Sequence, residues 1–171
     1  MTAFVPLPAL DDLGPDACSD ALAPLFEGAP RFLAKLAGKR PFREDDVLFA
    51  HARAIAHLMP EDEQLELIDA HPRLGAPPAT VSASSFREQG YDRETTAAVE
   101  DLARLNAEYE ARFGFRFCVF VNGRSRPELV PVLEAALRAD RDAEIRRALD
   151  DVVAIAQDRD RKARTAQEVS A

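Results

Sequence analysis

The chain has 171 residues, of which 47% are apolar and 30% charged, with no tryptophan and a net charge of −8. That length and apolar content suffice for one domain with a real core, taken here as residues 1–171, and they exclude wholesale disorder. The acidic balance argues against the basic face of a nucleic-acid binder, and no apolar run approaches the roughly 20 residues of a membrane span, so the expected partner is a small molecule.

The N-terminal stretch MTAFVPLPALDDLG has no positive region ahead of an apolar run, so it reads as an extended lead-in rather than a signal peptide. PDACSDALAPLF opens on Pro15, as a helix should, and Gly28 and Pro30 break it. PRFLAKLAG is a short helix with Gly38 as its cap. PFREDDVLFAHARAIAHLM places Leu48, Ala52, Ile55 and Met59 at helical spacing. PEDEQLELIDAH begins with proline and acids, carries Leu65, Ile68 and His71 three apart, and stops at Pro72.

Residues 72–84 read as a loop. ETTAAVEDLARLNAEYEARFGF is a long helix with the stripe Val99, Leu102, Asn106, Tyr109 and Phe113, ended by Gly114. FRFCVFV has strand-like composition but no second strand to pair with, so it is expected as an extended segment wedged among helices. RPELVPVLEAALRA and DAEIRRALDDVVAIAQDRD are the last two helices, and the charged tail after about residue 162 is expected to fray. The fold class is therefore all-α, with about seven or eight helices each burying one stripe. Cys18 and Cys118 have no metal-type spacing, which suggests a reduced pair. With no targeting signal, including no peroxisomal tripeptide at the closing VSA, a cytoplasmic location is expected.

Polar side chains on apolar stripes are the informative positions, because burying one without a partner costs a few kcal/mol. His71 ends a helix, where the dipole favours imidazolium; it reads either as a cap on the last carbonyls or as a chemical group. His51 and His57 lie six apart on one helix and share no face, so no metal site is expected from them. Arg159 continues the stripe Ile145, Leu149, Val152, Ala156; its guanidinium either snorkels to water or points at a buried anion. In SSFREQ, Ser85 and Glu88 form a capping box, and the same helix start could hold a polar ligand. Asn106 and Tyr109 read as structural ties, the amide binding a loop backbone.

The segments LFEGAPRFLAKLAGKRPF, AHPRLG, SSFREQ, LNAEYEARFGFRFCVFVNGRS and VVAIAQDR follow one another with short spacers. Together, over roughly residues 5 to 162, they resemble the OHCU decarboxylase family, the 2-oxo-4-hydroxy-4-carboxy-5-ureidoimidazoline decarboxylases of urate breakdown. The resemblance implies an all-helical enzyme without metal or organic cofactor that forms (S)-allantoin, with a homodimer possible. It implies His71 as the catalytic histidine with Pro72 beside it. Ser85, Phe86, Arg87, Glu88 and Gln89 are implied to hold substrate, with Glu88 bonding His71 or the substrate. Phe117, Cys118, Val119, Phe120 and Val121 are implied to offer backbone contacts, and Arg159 is implied as the arginine of the last helix.

The chain departs from the family pattern in several places. Arg31 stands where tryptophan is usual, and Asp158 where leucine is usual. The loop after His71 is short, and Tyr91 falls within an altered EQGYD run. These changes bear on the pocket wall, on oligomer contacts and on substrate choice. Two other readings stay open, a related enzyme on another small ureido or imidazole acid and a non-catalytic helical binding protein.

Overall fold

The computed structural model describes residues 7–75 and 96–170, and among them every regular element is an α-helix. In chain order these are α1 (Leu7–Asp12), α2 (Pro15–Phe26), α3 (Pro30–Ala37), α4 (Asp45–Leu58), α5 (Glu61–Asp69), α6 (Thr96–Phe113), α7 (Arg126–Ala136) and α8 (Arg141–Ser170). The all-α expectation holds. So does FRFCVFV as an extended segment, since residues 116–121 carry no regular structure. No described helix is long and apolar enough to cross a membrane.

Local chemistry sets the boundaries. Pro15 and Pro30 open α2 and α3 at the turn where a missing N–H costs nothing. Glu128 accepts both the backbone N–H (2.8 Å) and the hydroxyl (2.6 Å) of Ser125 ahead of α7. Gly114 ends α6 at φ 81°, a left-handed conformation in which a Cβ would be strained. Gly38 caps α3 as expected, at φ −70°, with its N–H reaching the carbonyls of Ala34 and Leu36. α4 begins at Asp45, later than its apolar pattern suggests, with Glu44 extended in front of it. α8 runs to Ser170, past the point near 162 where fraying was expected.

α8 is the central element, packing against α2, α4 and α5, while α6 packs against α7. Its expected stripe is buried along its whole length, from Ile145 through Leu149, Val152 and Ala156 to Arg159. Two aromatic groups fill the gaps between helices. Phe26 meets Phe32 at 4.8 Å between ring centroids, and Tyr109 meets Phe113, Phe115 and Phe117 at 4.6, 5.5 and 5.1 Å. The second group anchors the extended segment to α6. Cys18 and Cys118 are buried and are not joined in a disulfide.

Candidate active site

Three stretches remote in sequence meet at a cleft of about 280 Å³. The turn after α5 supplies His71, Pro72 and Leu74. The extended segment supplies Phe117, Cys118, Val119, Phe120 and Val121, continued by Asn122 and Gly123. α8 supplies Ile155, Asp158, Arg159, Arg161 and Lys162.

Each wall is tied down by side chains bonding backbone. Asn106 Nδ2 donates to Leu74 O at 2.8 Å, the expected amide-to-loop tie, and Arg73 pairs with Glu110 of α6. Arg116 staples the extended segment to the end of α5. Its N–H reaches Asp69 Oδ1 at 2.8 Å, and its Nη1 reaches Asp69 O at 2.7 Å and His71 O at 3.4 Å. Arg147 of α8 donates to Cys118 O at 2.9 Å and lies 4.9 Å over the Phe117 ring. Arg124 donates to Phe120 O at 2.5 Å and Val121 O at 3.0 Å. A segment without sheet partners thus has its carbonyls satisfied by guanidinium groups. Arg147 is itself held by Glu144 and Asp151, and Glu144 accepts the Tyr109 hydroxyl at 2.8 Å. Burial, reinforced by that bond, pushes the phenol well above its usual range.

His71 lies just past α5 and is 4% exposed. Its Nδ1 faces Leu67 O at 3.2 Å, an acceptor only, so the proton sits on Nδ1 and the Nε2 lone pair is left for other work. Nε2 is buried and has no hydrogen-bond partner among the described residues. The contact to the helix-end carbonyl therefore uses one nitrogen of the ring and leaves the other open. Burial, then the nearby Arg159, pushes the imidazole down from 6.5 to about 4, against the opposing influence of Glu27 and the Leu67 carbonyl. The expectation that the helix dipole favours imidazolium is thus overturned, because loss of water outweighs half a charge at a helix end.

Arg159 is 7% exposed and does not snorkel. Its Nη2 meets Glu27 Oε1 at 2.8 Å, and its Nη1 reaches Pro24 O at 3.2 Å and Leu25 O at 3.3 Å, carbonyls left over at the end of α2. The buried anion foreseen for this guanidinium includes Glu27, a residue that sequence reasoning passed over. One signal was available: an acid at a helix C-terminus opposes the dipole and calls for a nearby cation.

Asp158, Arg161 and Lys162 form the mouth. Asp158 bonds Arg161, and Lys162 Nζ at 2.6 Å. Burial alone would raise its carboxyl, but the bonds from Lys162 and Arg161 outweigh it and hold the group below its usual range. The two cations keep exposed side chains at the opening. Asp158, noted only as a departure, is thus a cleft residue. Arg31 is not. It lies on the surface joining α3 to α5 through Asp62 and Glu66, each at 2.5 Å, because its guanidinium finds two carboxylates and water there. The expectation that it shapes the pocket wall is corrected.

Ser85, Phe86, Arg87, Glu88, Gln89 and Tyr91 lie outside the described residues. Among the described residues no group of His, Cys, Asp and Glu is arranged to hold a metal ion.

The family model described as OHCU decarboxylase matches residues 11–161. The chain is 31% identical over 150 residues to the uric acid degradation bifunctional protein PucL of Bacillus subtilis (strain 168), covering 86% of this chain but 30% of that protein. It is 29% identical to the 2-oxo-4-hydroxy-4-carboxy-5-ureidoimidazoline decarboxylase of Haloferax volcanii, covering 86% of this chain and 88% of the relative. A crystal structure of an OHCU decarboxylase in the presence of (S)-allantoin shares the fold, with a TM-score of 0.70 over 84% of this chain and 96% of that one at 22% identity.

Proposed function

The chain belongs to the OHCU decarboxylase family, and from that premise we propose that it removes CO2 from 2-oxo-4-hydroxy-4-carboxy-5-ureidoimidazoline to give (S)-allantoin. The observation that carries the reading is that His71, whose buried Nε2 has no hydrogen-bond partner among the described residues, lines the same cleft as Arg159.

The substrate carries a carboxylate and a hydroxyl on one ring carbon, next to a C=N. When the carbon–carboxylate bond breaks, its electron pair moves into that C=N, and the nitrogen takes a proton from water. The substrate supplies its own electron sink, so the protein has to orient, desolvate and move protons. His71 enters as the free base, its imidazole depressed to about 4. Nε2 accepts the hydroxyl proton as the C=O forms and returns it to the adjacent ring carbon from one side, which makes the product one-handed. Arg159 donates to an oxygen that gains charge during the reaction. Arg161 and Lys162 meet the anionic substrate at the mouth. By family resemblance, Glu88 hydrogen-bonds His71 or the substrate as a third catalytic group, and Gln89 and Ser85 bind the ureido or ring amides.

The test is to generate the substrate in situ from urate with the two preceding enzymatic steps, add this protein and follow circular dichroism. The expected result is an optically active product appearing faster than spontaneous decay. A racemic product formed at the background rate would sink the proposal.

A further inference from the structure

Glu27 has no part in the chemistry above, yet two local costs coincide there. It stands just past the C-terminus of α2, where a carboxylate opposes the helix dipole, and its backbone is left-handed at φ 55°. Its side chain is 15% exposed and that of Arg159 6%, so the 2.8 Å pair sits largely out of water, where charge counts for more. The same guanidinium is held on its other nitrogen by Pro24 O and Leu25 O.

We propose that Glu27 is a positioning residue for the decarboxylation: it fixes the Arg159 guanidinium at the cleft and offsets its charge, so that Arg159 orients the substrate without trapping the carboxylate that must leave as CO2. This inference rests on the decarboxylase reading. An uncompensated buried guanidinium would pair with the substrate carboxylate in the ground state and lose that pairing as neutral CO2 forms, which raises the barrier. Among the described residues, the charged groups facing His71 are Arg159 from α8, Glu27 from the end of α2 and Arg116 of the extended segment, with Asp158, Arg161 and Lys162 at the mouth.

Glu27→Gln keeps an oxygen for Arg159 and removes the charge. Its kcat is expected to fall roughly tenfold with KM falling alongside, the signature of a ground state bound too well. Glu27→Asp keeps the charge and is expected to hold KM near the unsubstituted value. Loss of packing alone would lower kcat or raise KM without tightening binding.

A second readout needs no turnover: calorimetric affinity for imidazole-4-carboxylate and for its uncharged carboxamide. Glu27→Gln should bind the carboxylate roughly tenfold more tightly than the unsubstituted chain and the carboxamide equally well. Equal or weaker carboxylate binding in Glu27→Gln overturns the proposal. An unsubstituted chain that turns over no substrate removes the decarboxylase reading instead, while the carboxylate affinities still decide whether Glu27 offsets Arg159.

Discussion

His71 and His57 stand at comparable places, each at the C-terminal end of a helix that packs against α8. His57 is half-buried; its Nε2 lies 3.0 Å from Asp150 Oδ1, and Arg53 shares that carboxylate. His71 is buried, spends Nδ1 on a backbone carbonyl, lies near the Arg159 guanidinium, and its Nε2 has no partner among the described residues. Residue type and helix position match, so neither one makes the base of the proposed reaction. Enclosure and the neighbouring cation are what set His71 apart. Replacing each histidine in turn is the most direct way to break the comparison.

The largest effect is expected for His71→Gln, which keeps a polar side chain and removes the titratable lone pair. Its kcat/KM should drop by on the order of a thousandfold, within the range of a lost general base. The measurement is the dichroism assay, with far-UV spectra establishing that the helices remain. A loss under tenfold would move the proton transfer to another group.

Next comes acid stability. Above pH 6.5 His71 is neutral in both the folded and unfolded chain, so it costs nothing. Between 6.5 and about 4 only the unfolded chain takes up the proton, and stability falls as the pH falls. Below about 4 both states are protonated and the loss levels off, at about 3 kcal/mol in total for such a shift. Urea unfolding at pH 7 and pH 4.5 should show this loss, and His71→Gln should remove most of it. In the same window kcat/KM should hold until near pH 4 rather than declining at 6.5.

Arg159→Lys is expected to have a smaller effect, lowering kcat by roughly ten- to a hundredfold, because a single ammonium cannot serve Glu27, the α2 carbonyls and a substrate oxygen together. A KM increase with kcat unchanged would assign Arg159 to uniform binding instead.

These groups were not equally legible in the sequence. His71 and Arg159 stood out because each is polar at a position where its helix pattern calls for an apolar residue, and burial at such a place demands a reason. The extended segment was legible because a strand-like run with no partner strand has to be satisfied by something else. Arg124 and Arg147 satisfy its carbonyls, which have no side-chain signature, and the Asp69 carboxylate accepts its N–H at Arg116. The mouth formed by Asp158, Arg161 and Lys162 was hidden because charges at i, i+3 and i+4 on a helix look the same on an outer face as at a cleft rim. Arg31 misled for the converse reason. Its position was striking only by comparison with relatives, and nothing local to α3 told that its partners, Asp62 and Glu66, lie on α5 at the surface.

The smallest expected effect is the other half of the comparison, His57→Gln. Burial would raise the Asp150 carboxyl, but bonds from His57 and Arg53 hold it below its usual range. About half of the Asp150 side chain is exposed, so water and salt screen the pair, and such contacts contribute at most about 1 kcal/mol. Glutamine can still donate to the carboxylate, and Arg53 remains beside it. Stability should therefore change by under about 1 kcal/mol, less still in high salt, with decarboxylation unaltered. A large activity loss here would mean that the outer face of α4 and α8 communicates with the cleft through the buried core of α8, which includes Leu149, Val152 and Val153. The difference between His57 and His71 would then lie in coupling rather than in burial.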